Sequence, residues 1–372
     1  MLWGLFVLTI TVLVAVQPYR RTVTPNYHGA AQKFVAGHDL YEPGFWGFLY
    51  PPPFAVLYVP FTSAPVPLGD VIWRWVNLGL FLSGVARIAS LPRSRPGPPL
   101  FALITVLAIP ASLSSARNGQ VNMTETGLLL HAAVDVACGR LWRPAIVLAV
   151  ATVLKPVALV PALLWGALRP ALLWRFLVAL AAGVALPVAF ASPAYVVRQY
   201  QGFVDKMVVA SAPMGQMFCD IAGLVESFGL QVSEATLRIV RAASAPLTLA
   251  LSAVAWKRFA EPERSLHVLG FATSYLMLMS PRTESNGYVM LAPVVAVFAG
   301  RLWGVAGRRR EFWFLVLVAV GLGSDNYPFH RETDFWLKPA LTVLWAGWLA
   351  ARTLYPRELS ESRADRPEPE GC

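Results

Sequence analysis

The chain has 372 residues, 56% hydrophobic and only 14% charged, with a mean hydropathy of +0.54. Soluble globular domains carry about 25% charged residues, so the composition excludes that class and marks an integral membrane protein. The net charge of +10 fits arginines placed in short loops to set topology, and does not require nucleic acid as a partner.

The first predicted element is the apolar run from Leu2 to Val16. It has no basic segment before it and no clear cleavage site, so it reads as a retained span rather than a signal peptide. A polar, Pro- and Gly-rich loop over 18–69 follows. Within it, 54–62 is apolar but short, which suits a re-entrant or interfacial piece. Further spans are expected at roughly 70–90, 99–114, 119–137, 143–154, 157–168, 171–191, 239–256, 266–280, 287–303, 312–323 and 335–351. Lys155-Pro156 interrupts one long apolar region and splits it into two short arms. The stretch 192–238 mixes Tyr195, Tyr200, Phe203, Met207 and Met217 with a few charges, a pattern of helices lying at a membrane surface. Residues 353–372 are charged and Pro-containing, and read as a disordered cytoplasmic tail. The expected fold is therefore an all-α polytopic membrane protein, with residues 1–352 forming one bundle of about 11–12 transmembrane helices. The alternating signal of a membrane β-barrel is absent.

Arginine and lysine positions set the expected orientation. Arg93 and Arg95, Arg140 and Arg143, Arg169 and Arg175, Lys257, Arg258 and Arg264, and Arg301 through Arg310 fall in one set of loops. By the positive-inside rule that set is cytoplasmic, and so is the N-terminus. The opposite set holds nearly all the unusual polar sequence: 18–69, 115–118, the Lys155-Pro156 break, 192–238, 281–286 and 324–334. Polar groups distant in sequence but gathered at one membrane face are how a site is built.

Candidate chemistry follows from those groups. Asp39 and Glu42 are the acids of the first loop; each reads as a general base for a sugar hydroxyl or, equally, as a solvated acid or helix cap. Tyr41 and Tyr50 are candidate substrate contacts or membrane-interface aromatics. Arg117, Asn118, Gln120 and Asn122 surround Gly119; amides both donate to and accept from sugar hydroxyls, and glycine permits close backbone approach. Lys155, an intramembrane cation, needs an anionic partner, either a lipid-linked phosphate or a carboxylate of the protein. Arg282 has the fork to clamp a phosphate, with Glu284 a second candidate base; a salt bridge from Arg282 to Glu284 or Asp325 is the structural alternative. Asn286, Asp325 and His330 complete the polar set. Glu125, His131 and Asp135 share one span, with Glu125 expected near the active face and Asp135 paired at the cytoplasmic end. No phosphate-binding glycine loop, nucleotide domain or nucleophile elbow occurs, and the three cysteines and five histidines form no metal pattern. No cofactor and no metal is expected.

Gly37-His38-Asp39-Leu40-Tyr41, then Tyr50-Pro51-Pro52-Pro53-Phe54, Asn118-Gly119-Gln120-Val121-Asn122, Leu154-Lys155-Pro156, and Ser280-Pro281-Arg282 through Tyr288 and Pro293 occur in that order. This order resembles glycosyltransferase family 87, polytopic C-type (GT-C) enzymes that include polyprenol-phosphate-mannose-dependent mannosyltransferases. Each motif alone is weak, and the shared order over about residues 20–295 carries the resemblance. It implies a membrane glycosyltransferase of the bacterial plasma membrane, acting on the extracytoplasmic side. There it would move a hexose, mannose by the resemblance, from a polyprenyl-phosphate carrier to a lipid or glycan acceptor. It also implies a first-loop carboxylate as base, basic residues on the donor phosphate, and direct displacement with inversion. Family members commonly carry an Asp shortly before a first-loop tyrosine, whereas Thr22–His28 here contains no acid. The base then falls to Asp39, Glu284, Asp325 or His28, with Asp39 and Glu284 ranked first. A flippase of lipid-linked saccharides, drawing on Glu125, His131, Asp135 and Lys155, and an inactive scaffold member are the readings from other classes.

Overall fold

Proline decides where many of the helices begin, because its fixed φ suits the first turn and its missing N–H is not needed there. Six helices carry proline at their first or second position. The computed structural model describes residues 1–92, 100–211, 217–327, 333 and 335–356. Among these are sixteen α-helices, four short 3-10 turns and no strand. The helices are α1 Leu2–Val16, α2 Thr24–Val35, α3 Pro52–Thr62, α4 Val66–Ala89, α5 Leu100–Asn118, α6 Asn122–Ala137, α7 Trp142–Leu154 and α8 Leu159–Leu168. Then come α9 Pro170–Ala185, α10 Pro193–Ala210, α11 Ile221–Ser227, α12 Glu234–Arg258, α13 Glu263–Met279, α14 Ala292–Leu302, α15 Arg309–Gly321 and α16 Leu337–Leu354.

Each of the twelve segments expected as a span contains helix, and the architecture is that of an all-α polytopic membrane protein. Among the described residues, five helical segments are long and apolar enough by themselves to cross a membrane: Val66–Ala89, Leu100–Asn118, Pro170–Ala189, Glu234–Arg258 and Ser285–Leu302. The last is almost wholly enclosed, whereas Pro170–Ala189 and Glu234–Arg258 turn most of their apolar side chains outward. The chain therefore wraps its outer helices around the Ser285–Leu302 segment. The Lys155-Pro156 break is real: α7 stops at Leu154, a single 3-10 turn spans Pro156–Ala158, and α8 resumes at Leu159. The apolar piece at 54–62 is helix α3, and the 192–238 stretch contains α10 and α11.

Helices α4 and α6 cross with their backbones close together. A Cβ on Gly127 would lie 2.3 Å from the Leu80 carbonyl oxygen, and one on Gly84 would lie 2.7 Å from the Gly127 carbonyl oxygen. Only glycine allows backbones this near. Thr124 donates to Asn77 across the same crossing at 2.7 Å.

The bundle has two chemically distinct ends. At one, Asp135 receives Arg87 at 2.6 Å and Arg140 at 2.7 Å, Arg301 pairs with Glu263, and Arg308 with Glu311. His131 sits there between Ser83 and Arg87. At the other end the loops before α3, between α5 and α6, after α7, after α13 and after α15 converge, joined by the hydrogen bonds described below. Arg93, Arg95, His330 and the tail from residue 357 lie outside the described residues.

Candidate active site

A cavity of about 310 Å³ opens at the convergent end. Its charged and amide lining, with one tyrosine, comes from four separate places in the chain: Tyr50 ahead of α3, Gln120 and Asn122 at the α5–α6 turn, Lys155 at the break after α7, and Arg282 and Glu284 after α13. Its apolar wall includes Leu49, Val157, Met207, Met277 and Met290.

The α5–α6 turn is held by a buried polar knot. Gly119 has φ of 72°, the left-handed conformation that ends α5 and turns Gln120 toward the cavity. A Cβ there would strike Thr24 and the Arg74 guanidinium, both closer than 3 Å. Trp73 donates to the Gly119 carbonyl at 2.7 Å, and Arg74 to the Arg117 carbonyl at 3.0 Å. Thr24, at the head of α2, donates to Asp70 at 2.8 Å. Asp70 of α4 thus ties the head of α2 to Arg74 and does not line the cavity.

Five side chains then form one hydrogen-bonded network. Gln120 Nε2 donates to Glu284 Oε2, and Asn286 Nδ2 donates to the same oxygen at 3.4 Å. Asn122 Nδ2 donates to Gln120 Oε1 at 2.7 Å and to Asn286 Oδ1 at 3.1 Å, while its Oδ1 accepts from Lys155 Nζ at 2.7 Å. Both amide hydrogens of Asn122 are spent, so it is a node of the network. Glu284 is different: Oε2 carries two donors, and Oε1 has no hydrogen-bond partner among the described residues. One carboxylate oxygen fixes the group and the other is open.

Arg282 approaches from the other wall. Its Nη1 donates to the Phe45 carbonyl at 3.0 Å, and its guanidinium lies 4.1 Å from the Phe45 ring centroid and 4.8 Å from that of Trp46. Its Nε is buried with no hydrogen-bond partner among the described residues. Lys206 of α10 steadies the same loop by donating to the carbonyls of Glu42, Gly44 and Trp46. Gly44 and Gly47, with φ of 97° and 112°, let those carbonyls turn inward. Lys155 and Arg282 are thus two cations lining one cavity with an open carboxylate oxygen.

The glycosyltransferase family 87 model matches residues 48–281, well over half of the chain. The chain belongs to glycosyltransferase family 87. It is therefore a membrane glycosyltransferase, with a sugar donor and an acceptor as its substrates. No curated protein matches it. The matched stretch of the glycosyltransferase includes Tyr50, Gln120, Asn122 and Lys155; Arg282 and Glu284 lie immediately beyond it.

Of the residues singled out from the sequence, Tyr50, Gln120, Asn122, Lys155, Arg282 and Glu284 line the cavity, and Asn286 stands behind Glu284. The others take different places. Asp39 is exposed, accepts from Gln199 Nε2 at 3.0 Å and does not line the cavity. Tyr41 donates to the Tyr50 carbonyl at 2.8 Å, so it acts through Tyr50. Arg117 and Asn118 contribute their backbone carbonyls, Asn118 accepting from Val23 and Thr22. Asp325 accepts from Lys338 at 2.6 Å, in place of the expected alternative with Arg282. Lys338 also donates to the Ser285 carbonyl at 2.9 Å and hydroxyl at 2.7 Å, bracing the turn that carries Glu284 and Asn286. Glu42 pairs with Lys33, whose hydrogen bond and charge hold its carboxyl below the ordinary range. Glu125 is fully buried in the first turn of α6, with neither oxygen hydrogen-bonded. It is separated from Asp135, held at the far end, by the apolar run Leu128–Leu130.

Sequence reasoning missed Tyr27, Lys206, Lys338 and the methionine wall. Lys338 carried a signal, since it is a cation between Phe335-Trp336-Leu337 and Pro339-Ala340-Leu341, whereas Lys206, next to Asp205, carried none. Tyr27 carried none beyond its place in the first loop.

Proposed function

We propose that this glycosyltransferase moves a hexose from a polyprenyl-phosphate carrier to a lipid or glycan hydroxyl on the extracytoplasmic side of a bacterial plasma membrane. The N-terminus and the arginine-rich end then face the cytoplasm, as the positive-inside rule requires. The observation that carries the proposal is Glu284: one oxygen held by Gln120 and Asn286, the other open, in a cavity shared with Lys155 and Arg282.

The chemistry then balances without a soluble nucleotide. Glu284 Oε1 takes the proton of the acceptor hydroxyl as that oxygen attacks the anomeric carbon. The bond from that carbon to the phosphate oxygen breaks, and the phosphate departs with the electron pair. Lys155 and Arg282 stabilise the charge that grows on it. The methionine-rich wall gives the prenyl chain an adaptable apolar surface. Displacement from opposite faces inverts the anomeric centre. Asp39, outside the cavity, gives way to Glu284 as the base.

The test is transfer of radiolabelled sugar from a panel of polyprenyl-phosphate hexoses by purified protein in lipid, with membrane extract as acceptor. Glu284→Gln preserves shape and places an amide where the open oxygen stands, and is expected to lower the rate by about 10²–10⁴-fold. Wild-type-like transfer by that variant would remove Glu284 from the mechanism.

A further inference from the structure

Tyr50 lines the cavity beside Arg282 and Glu284, and three contacts fix it. Tyr41 holds its backbone carbonyl at 2.8 Å. Its ring stacks on Phe54, with centroids 4.7 Å apart and planes 26° from parallel. Its hydroxyl oxygen accepts from Tyr27 at 2.7 Å.

The direction of that last bond matters. Tyr27 is fully buried, and its hydroxyl donates to that of Tyr50. Its single proton is therefore committed to Tyr50. A phenol has one proton to give, and Tyr50, already accepting, has no acceptor for its own among the described residues. The chain of donors runs from Tyr27 to Tyr50 and stops at the cavity. Hydrogen bonds in series polarise one another, which sharpens the terminal donor. Burial also pushes the Tyr50 phenol above its ordinary value, so it stays protonated near neutral pH.

We propose that Tyr50 donates its hydroxyl proton as a hydrogen bond to a phosphate oxygen of the lipid-linked donor, and that Tyr27 is the positioning residue that aims it. The phosphate is the natural acceptor because Arg282 and Lys155 line the same cavity. No bond to hydrogen is broken; the contact strengthens as charge grows on the departing phosphate. The inference rests on the polyprenyl-phosphate reading above.

The experiment measures binding of polyprenyl phosphate, and separately of uncharged polyprenol, to the full chain in lipid nanodiscs, without any acceptor. Thermal unfolding is followed alongside, because Tyr27→Phe removes a fully buried hydroxyl. Tyr50→Phe is expected to weaken polyprenyl phosphate about tenfold, the scale of one hydrogen bond to a charged group, and to leave polyprenol unchanged. Tyr27→Phe is expected to weaken the phosphate by about threefold, with polyprenol again unchanged. The double variant should match Tyr50→Phe, since Tyr27 acts only through it. Wild-type affinity for the phosphate in Tyr50→Phe would overturn the inference alone, as would equal losses for phosphate and polyprenol. Multiplying losses in the double variant would overturn the role of Tyr27. If the wild-type protein binds no polyprenyl phosphate, the donor reading fails and this inference falls with it.

Discussion

Asn122→Ala tests whether the site is one network. The side chain is 1% exposed and makes three hydrogen bonds, to Gln120, to Asn286 and from Lys155. Two neutral bonds at about 1 kcal/mol each and one to an ammonium at about 2 kcal/mol sum to about 4 kcal/mol. Gln120 and Lys155 border the cavity and regain water when Asn122 is removed. Asn286, buried behind Glu284, does not. The expected net loss of stability is therefore about 2–3 kcal/mol. Catalysis should suffer separately, because both donors to Glu284 Oε2 lose their anchor; a misplaced base of this kind costs roughly 10²-fold. Reversible unfolding in mixed micelles and steady-state transfer give the two numbers. The decisive form is a double-mutant cycle with Lys155→Met, for which a coupling of about 2 kcal/mol is expected. Additivity within about 0.5 kcal/mol would mean that Asn122 and Lys155 do not act together, and the network argument would fail.

Lys338→Met leaves the Asp325 carboxylate and the Ser285 turn without their shared cation. It should destabilise the protein by about 3 kcal/mol in thermal unfolding, and a combined Asp325→Asn, Lys338→Met variant should recover part of that. Gly127→Ala forces a Cβ to 2.3 Å from the Leu80 carbonyl oxygen. Helices α4 and α6 must part, lowering stability by about 1–3 kcal/mol, and an unchanged melting temperature would refute the crossing. Arg282→Lys keeps the charge but loses the planar fork over Phe45 and Trp46, so KM for the donor should rise about tenfold in transfer assays. Asp39→Asn should retain transfer within about twofold, since nothing at the cavity contacts it.

Local physics was legible in the sequence, and long-range pairing was not. The Lys155-Pro156 break could be read because proline removes a donor and clashes with the preceding turn, whatever surrounds it. The helices of 192–238 showed in their mixed composition. Gln120 and Glu284 were each singled out, yet their contact joins residues 164 apart, and no local pattern encodes it. Asp39 drew attention as an acid in a polar loop; only the placement of that loop against Gln199 of α10 shows it facing away from the cavity lining. Tyr27 was hidden because a buried tyrosine in an aromatic cluster looks like packing until its hydroxyl is traced. Lys206 makes the same point: its three acceptors are backbone carbonyls, which carry no residue identity.

The break after α7 has a consequence for the surrounding bilayer. Helix α7 has 13 residues and α8 has 10, so at 1.5 Å per residue they rise about 20 Å and about 15 Å. A hydrocarbon core is about 30 Å thick. In the proposed orientation their arginine-flanked ends lie at the cytoplasmic interface, the two arms stop well short of the opposite one, and lipid beside them would have to dimple inward to cover them. On the proposed donor reading, a prenyl carrier drifting in that leaflet would meet the depression with its headgroup already lowered toward Lys155, and would reach the cavity sideways without leaving the membrane.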